Sequence, residues 1–202
     1  MYTLKIEQAI RAAAVLHDGQ YRKGPHPFPY VTHCISVGML LIDYTADESV
    51  IVAGILHDTL EDTDYTYEEL CNDFGQEVAD LVLSVTHITK QDEKKRHSTT
   101  WEQKMFLYTT KIKENGTKTA LIAASDKIHN MRSMIEAYIG NEAQFMVDFG
   151  KNFQERITFF EVIRESISEK VPEKLLKEYD MVFEQFKSFV KDVEKICVKP
   201  GN

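Results

Sequence analysis

The sequence has 202 residues, 43% of them hydrophobic, and carries a formal net charge of −8. The length and apolar content suit one compact domain over residues 1–202, and the acidic balance argues against a general nucleic-acid binder, which usually carries a basic surface. No apolar run approaches the roughly 20 residues that span a bilayer. Three widely spaced cysteines without a CxxC motif indicate a reducing compartment. We therefore expect a cytoplasmic protein that has neither a membrane nor nucleic acid in general as a partner.

The first predicted elements are a helix and a rigid loop. Apolar side chains recur at helical spacing over residues 3–18, and Gly19 ends that helix. The loop at 20–31 contains three prolines, which exclude regular structure. Arg22 and Lys23 lie in this loop, so the rigid loop carries two cations.

Two helices follow, and each brings a histidine next to apolar residues. The second helix is predicted over residues 32–44, with His33 in its first turn. The third is predicted as one helix over residues 51–63, and its all-apolar first half indicates burial. His57 and Asp58 follow that half directly, about 100° apart around the helix axis. An imidazole and a carboxylate can therefore converge on one point beside this helix.

Glu61 and Asp62 lie one turn beyond that pair. Residues four apart share a helix face, so each of these carboxylates stacks on His57 or Asp58. Carboxylates at this distance from a metal-binding pair suit groups that activate water. The alternative is a solvated acidic helix end, which explains Glu61 and Asp62 but not the polar pair that follows the buried run.

The rest of the chain predicts further helices, and no stretch shows sustained strand alternation. Helical patterns cover residues 66–74, 77–87, 100–113, 117–139, 142–169 and 173–197, with a mobile polar loop at 89–98. The fold is therefore predicted to be an all-α helical bundle. The aromatic stripe Phe183, Phe186 and Phe189 is interpreted as core or as a face between subunits of a homo-oligomer.

Four polar residues stand where helical periodicity expects apolar ones: His33, His57, Asp58 and Asp126. A buried carboxylate is costly unless it is paired or bound to a metal, and two imidazoles with two carboxylates suit a divalent ion such as Mn²⁺, Fe²⁺ or Zn²⁺. Taken singly, His33 could belong to a helix start and Asp126 could pair with a buried lysine or arginine. Taken together on predicted helices, the four favour a metal site.

The order of these residues resembles the HD phosphohydrolase superfamily, and the finer pattern resembles the (p)ppGpp hydrolase domain of RelA/SpoT-type alarmone enzymes. The matching segments within about residues 5–140 are HDGQYRK at 17–23, PYVTH at 29–33, HDTLEDT at 57–63, FG at 74–75, VT at 85–86 and SDKIHNMR at 125–132. An HD pair alone is unspecific. HDTLEDT together with DKIHNMR is specific for this branch.

The resemblance implies a metal centre and its catalytic groups. One Mn²⁺ would be held by His33, His57, Asp58 and Asp126. Glu61 and Asp62 would place or deprotonate the attacking water. The reaction implied is hydrolysis of the 3′-pyrophosphate of ppGpp or pppGpp, which yields GDP or GTP.

The same resemblance implies contacts with a small nucleotide substrate. Arg22 and Lys23 would lie against the guanine and phosphate groups, and Asn130 and Ser133 would contact the nucleotide. Two departures bear on these contacts. The loop at 24–29 reads as longer and richer in proline than in the family, and His87 stands where a lysine is common, so Lys90 is expected to supply that charge.

Two other functions stay open at this point. One is an HD phosphohydrolase that acts on another nucleotide, including a phosphate of a nucleotide cofactor. The other is a nucleotide sensor without catalysis, against which the intact Glu61 and Asp62 count. We expect a stand-alone small hydrolase whose motif-bearing core is followed by helices at 142–197, and the sequence assigns no role to those helices.

Overall fold

The structure, a computed structural model, describes residues 2–90, 100–150 and 153–198. Within these ranges every regular element is an α-helix, apart from an isolated bridge between Tyr21 and Pro29. The all-α prediction is confirmed. Most of the polar loop predicted at 89–98 lies outside the described residues.

The helices follow one another in this order: α1 Leu4–Leu16, α2 Val31–Ile42, α3 Glu48–Leu56, α4 Thr59–Asp62, α5 Tyr67–Phe74, α6 Gln76–Val85, α7 Trp101–Glu114, α8 Gly116–Tyr138, α9 Glu142–Phe149, α10 Phe153–Ile167 and α11 Glu173–Val198. Side chains fix several of their starts. Asp47 accepts hydrogen bonds from two backbone N–H groups at the start of α3. Thr66 and Glu69 form a capping box at α5.

Helix α3 is the centre of the bundle. All seven residues from Val50 to Leu56 are buried, and α3 packs against α1, α2, α6 and α8. Helix α3 lies close to α2 because each of these two helices has a glycine that faces the other helix. A Cβ at Gly54 would lie 2.1 Å from Cδ1 of Leu41, and a Cβ at Gly38 would lie 2.5 Å from Cγ1 of Ile55. This close packing brings the start of α2 near the end of α3.

The single helix predicted through HDTLEDT is wrong at His57 and Asp58, which separate α3 from α4. Side chains near the break bind backbone carbonyls. The imidazole of His57 bonds the carbonyl of Gly54 at 2.9 Å, and the hydroxyl of Thr59 donates to the carbonyl of Leu56 at 2.7 Å. Such bonds compete with the main-chain ladder and interrupt the helix. The polar pair therefore lies in a turn at the end of a buried helix.

The helix predicted over 142–169 is also interrupted. Helix α9 ends before Gly150, whose φ of 75° lies in the left-handed region, and α10 begins at Phe153. The stripe Phe183, Phe186 and Phe189 on α11 is buried within the chain, so it forms core. Among the described residues, no helix is both long and apolar enough to cross a membrane.

Candidate metal centre and adjoining cavity

The four side chains predicted as metal ligands converge where α2, α3 and α8 meet. Nε2 of His33 lies 3.2 Å from Nε2 of His57. Oδ2 of Asp58 lies 3.1 Å from the His57 nitrogen and 3.5 Å from the His33 nitrogen. Oδ1 of Asp126 lies 3.3 Å from the His33 nitrogen and 3.6 Å from the His57 nitrogen. Two imidazole nitrogens are thus flanked by an oxygen of each carboxylate, and the donor atoms of His33, His57 and Asp58 all lie within 4.8 Å of one another.

Both imidazoles are oriented by contacts at their other nitrogen. Nδ1–H of His57 donates to the carbonyl of Gly54, since a carbonyl can only accept, and this leaves the Nε2 lone pair for the cluster. Nδ1 of His33 lies 2.7 Å from Nδ1 of His129. Burial lowers the pKa of His129 to about 3, so its ring is neutral and can accept from Nδ1–H of His33. Both Nε2 atoms therefore face the cluster, where each can bind a metal that replaces its proton.

The two carboxylates are held as firmly. The hydroxyl of Tyr30 donates to Oδ2 of Asp58 at 2.6 Å. The ammonium of Lys127 donates to Oδ2 of Asp126 at 2.5 Å, and the amide of Asn130 donates to Oδ1. The buried lysine that the sequence offered as an alternative partner for Asp126 is therefore present together with the histidines.

Lys127 is an unusual residue for an interior, since its side chain is buried beside the cluster. Its ammonium lies over two aromatic rings, 4.9 Å from the centroid of Tyr108 and 5.4 Å from that of Phe159. The ion pair with Asp126 and these ring contacts offset the loss of hydration. The lysine occupies one oxygen of Asp126 and turns the other oxygen toward the histidines.

The electrostatic field at the cluster favours positive charge. Burial opposes a charge on His57, but Asp58 and Asp126 outweigh burial and raise the pKa of His57 to about 10. Burial would raise the pKa values of the two carboxyls, but the imidazoles and, for Asp126, Lys127 hold them well below the usual range. Four nitrogen and oxygen donors in such a field fit a divalent ion of the Mn²⁺, Fe²⁺ or Zn²⁺ kind.

Glu61 and Asp62 lie beside the cluster and differ in their surroundings. Oε2 of Glu61 accepts the backbone N–H of His87 at 3.0 Å. Burial and the charge of Asp58 raise the pKa of Glu61 to about 7. Asp62 is open to solvent on one side, and partial burial with the charge of Asp58 raises its pKa to about 6. Both carboxylates can therefore exchange a proton near neutral pH, as a general base must.

A cavity of about 370 Å³ adjoins the cluster. Tyr30 and Lys127 lie in its wall, and each also contacts a carboxylate of the cluster. Four of the predicted substrate contacts line it: Arg22, Lys23, Asn130 and Ser133. The structure therefore places the cationic loop and the DKIHNMR segment on one cavity.

The charge of this cavity is opposite to that of the chain. Its lining includes four cationic side chains: Arg22, Lys23, Lys127 and Arg156. Among the described residues, none of those that line it is acidic, although the chain as a whole has a net charge of −8. Such a local excess of positive charge favours an anionic ligand.

Arg22 connects the loop to α8. Its guanidinium donates to Oδ1 of Asn130 at 2.9 Å and to the hydroxyl of Ser133 at 2.7 Å. It also lies 5.5 Å from the ring centroid of Tyr30. Lys23 donates to the carbonyl of Asp148 at 3.2 Å, which ties the same loop to α9.

Lys90 is the one predicted substrate contact that the structure places elsewhere. Its ammonium pairs with Asp64 at 3.4 Å on the surface, and it does not line this cavity. His87, which occupies the position of the family's lysine, stacks on Tyr108 with ring centroids 3.9 Å apart. The stacked ring and the backbone bond to Glu61 give His87 a structural role here.

Sequence reasoning missed the contribution of α9 and α10. Phe149, Arg156, Phe159 and Phe160 from these helices line the cavity. Phe149, Arg156 and Phe159 also line a second cavity of about 400 Å³, which Glu61 and His87 border. Aromatic residues at helical spacing resemble core residues, so the sequence offered no signal for them.

Comparison with known proteins places the chain in a family. The profile of the HD domain family matches residues 9–145. A GTP pyrophosphokinase of Streptomyces coelicolor is 36% identical over 140 residues, which are 69% of this chain and 16% of that protein. A guanosine-3′,5′-bis(diphosphate) 3′-pyrophosphohydrolase of Haemophilus influenzae is 34% identical over 120 residues, 58% of this chain and 17% of that protein. The chain spans less than a fifth of the length of these curated relatives.

A solved structure shows that the likeness extends past the motifs. The protein, described as a metazoan ortholog of SpoT that hydrolyzes ppGpp, matches with a TM-score of 0.74 at 24% identity, over 92% of this chain and 97% of that one. At this identity the match establishes the fold. Because 92% coverage exceeds the motif-bearing region, the shared fold includes C-terminal helices.

Proposed function

Since this chain belongs to the HD domain family, we propose that it hydrolyses the 3′-pyrophosphate of ppGpp or pppGpp in a metal-dependent reaction, leaving GDP or GTP. The observation that carries the proposal is the convergence of His33, His57, Asp58 and Asp126 beside a cavity lined by cations. Relatives named as ppGpp 3′-pyrophosphohydrolases support the choice of substrate.

The four converging residues would hold one divalent ion, which we propose is Mn²⁺. When bound, the ion supplies a Lewis acid that lowers the pKa of water and neutralises charge at phosphorus. Lys127 engages Oδ2 of Asp126, so Oδ1 stays directed at the ion. Tyr30 donates to Oδ2 of Asp58, the oxygen that faces the two histidines, and so holds that oxygen in place. Contacts of this kind orient ligands and tune metal affinity.

Glu61 and Asp62 would handle the proton of the attacking water. The pKa of Glu61 is raised to about 7 and that of Asp62 to about 6. A general base is most effective when its pKa lies near the working pH. The backbone N–H of His87 fixes Glu61 from one side. We assign Glu61 as the base and Asp62 as the group that places the water, because Glu61 is the more buried of the two.

The substrate carries two pyrophosphate groups and therefore needs fixed cations. Arg22, Lys23 and Arg156 lie in the cavity wall and would meet them. Charge-assisted hydrogen bonds to phosphate typically contribute about 1.5–3 kcal/mol each. Asn130 and Ser133, locked to Arg22 by hydrogen bonds, present polar atoms for the nucleoside.

The test is a nucleotide panel assayed with purified protein and Mn²⁺. The panel contains ppGpp, pppGpp, GDP, GTP and a nucleotide cofactor that carries a 2′-phosphate. We expect pyrophosphate and GDP from ppGpp, and no reaction in EDTA or in Asp58→Asn. Asp18→Asn is the matched control and should react like the wild type, because Asp18 belongs to a second His-Asp pair in the sequence, His17–Asp18, and is itself exposed. A faster release of inorganic phosphate from another nucleotide, or binding of ppGpp without turnover, would refute the assignment.

A further inference from the structure

The loop that carries Arg22 and Lys23 is pinned to itself. Tyr21 and Pro29 form an antiparallel bridge. The backbone N–H of Arg22 donates to the carbonyl of Phe28 at 2.9 Å, and that of Tyr30 donates to the carbonyl of Gln20 at 2.9 Å. These bonds and the prolines at 25, 27 and 29 restrict the loop backbone, so the points from which its side chains extend are fixed.

Two aromatic side chains of this loop are accessible at the cavity. The exposed fraction is 62% for Tyr21 and 36% for Phe28, and both line the cavity. Large aromatic residues gain free energy when their faces are covered. A rigid loop that leaves two of them open beside a binding cavity therefore offers a surface for a ligand.

The other residues of the cavity indicate the chemical class of that ligand. One part carries the interlocked polar atoms of Arg22, Asn130 and Ser133. Another carries Phe149 with two cations over its ring, Lys23 at 5.3 Å and Arg156 at 4.6 Å from the centroid. A planar heteroaromatic ring with anionic substituents meets all three features, since it can stack, hydrogen-bond at its edge and pair with the cations.

We propose that Phe28, supported by Tyr21, is the wall on which the purine base of the substrate stacks, and is therefore a residue that determines specificity. The proposal rests on the function proposed above, because it takes the substrate from that function. Base stacking concerns binding of the substrate, so it can be tested without turnover. The proposal also gives the proline-rich loop a role, because its restricted backbone positions Phe28 as well as Arg22 and Lys23. Phe28 acts in binding and touches no reacting atom.

The first test compares three substitutions at one position. Stacking of a base on an aromatic ring typically changes affinity by about five- to a hundred-fold when the ring is removed. Phe28→Ala should raise KM for ppGpp within that range and leave kcat and metal content unchanged. Phe28→Tyr keeps the ring and should restore KM, whereas Phe28→Leu keeps apolar volume and should not. Full restoration by leucine, or an unchanged KM in the alanine variant, would overturn the proposal.

The second test measures stacking without turnover. The chain has one tryptophan, Trp101, so Phe28→Trp in a Trp101→Phe background carries a single indole at the wall. GDP should quench its fluorescence strongly, UDP weakly and inorganic pyrophosphate not at all. Phe106→Trp in the same background reports on an exposed ring away from the cavity and should not respond. Equal quenching by pyrophosphate and GDP, or none by GDP, would refute base stacking.

The two proposals can fail separately. Quenching by GDP in a protein that does not cleave ppGpp would remove the hydrolase assignment and keep the purine wall. Cleavage of ppGpp with the same KM in wild type and Phe28→Ala would keep the hydrolase and remove the wall.

Discussion

The metal cluster and the cavity beside it are built from opposite kinds of residue. The cluster lies on α2, α3 and α8 inside the bundle, and its side chains are polar residues set among apolar ones. The cavity is walled by the loop at 20–31, by α9 and α10 and by part of α8, and its side chains include cations and aromatic rings, several of them partly exposed. In the proposed reaction, cleavage would depend on the groups of the cluster and selection of the substrate on the groups of the cavity. Substitutions should therefore separate turnover from binding according to region.

The largest effect is expected at the cluster. His57→Ala or Asp58→Ala should abolish both metal binding and activity, because one vacant position in a four-ligand site leaves too few donors. Metal analysis of the purified variants, with circular dichroism to verify the fold, measures this. Asp18→Ala serves as control. Tight metal retention in either cluster variant would show that the ligands lie elsewhere.

The next effect separates chemistry from metal binding within the same region. Glu61→Gln and Asp62→Asn should retain the metal but lower kcat, by about 100-fold for a lost general base. The side-chain carbonyl that Glu61→Gln introduces can still accept the backbone N–H of His87, so the local structure is preserved. Steady-state kinetics beside metal analysis decides the point. Wild-type turnover in both variants would reduce these residues to an acidic helix end.

The third effect falls on the cavity. Lys23→Ala removes a cation of the wall and should raise KM or lower kcat/KM for ppGpp by about ten- to a hundred-fold, with metal content unchanged. Lys177→Ala, an exposed lysine of α11, is the control for loss of a positive charge. Loss of metal in Lys23→Ala, or kinetics equal to those of the control, would contradict the division of roles.

The smallest effect concerns stability. The pKa of Glu61 is raised from 4.5 to about 7 in the folded protein, so the folded state binds a proton that the unfolded state has lost. Stability therefore falls as pH rises from about 4.5 to about 7, and the loss is complete above that range. Glu61→Gln removes this loss. In EDTA its melting temperature should exceed that of the wild type by a few degrees at pH 8, and by less at pH 5.

This stability prediction has a direct control. Glu68→Gln makes the same substitution at an exposed glutamate on α5 and is measured at the same two pH values. A pH-independent difference for Glu61→Gln would mean that the buried carboxylate carries no cost in the folded protein.

The parts of the site that can be predicted from the sequence follow the same division between metal cluster and cavity. His33, His57, Asp58 and Asp126 are visible because a polar residue in an apolar run must be paired or bound, and the structure brings all four together. Their orienting partners are not visible in this way. Tyr30 and His129 are ordinary residues until the fold places one against Asp58 and the other against His33.

The cavity wall shows the limit more clearly. Phe149 and Phe159 have the spacing of core residues, and only the tertiary arrangement of α9 and α10 leaves their rings at a cavity. The break at His57 and Asp58 was missed because periodicity does not register side chains that bind their own backbone. The expected role of Lys90 came from a one-for-one replacement of charge, whereas the structure places that lysine at the surface with Asp64.

The central claim is that water attacks a phosphorus of the 3′-pyrophosphate at the metal cluster. Hydrolysis of ppGpp in ¹⁸O-labelled water with Mn²⁺, followed by mass spectrometry of both products, tests it directly. We predict one labelled oxygen in the released pyrophosphate and none in GDP, because the bond between phosphorus and the 3′-oxygen is the one that breaks. Label in GDP, or label appearing in inorganic phosphate without pyrophosphate, would contradict the account.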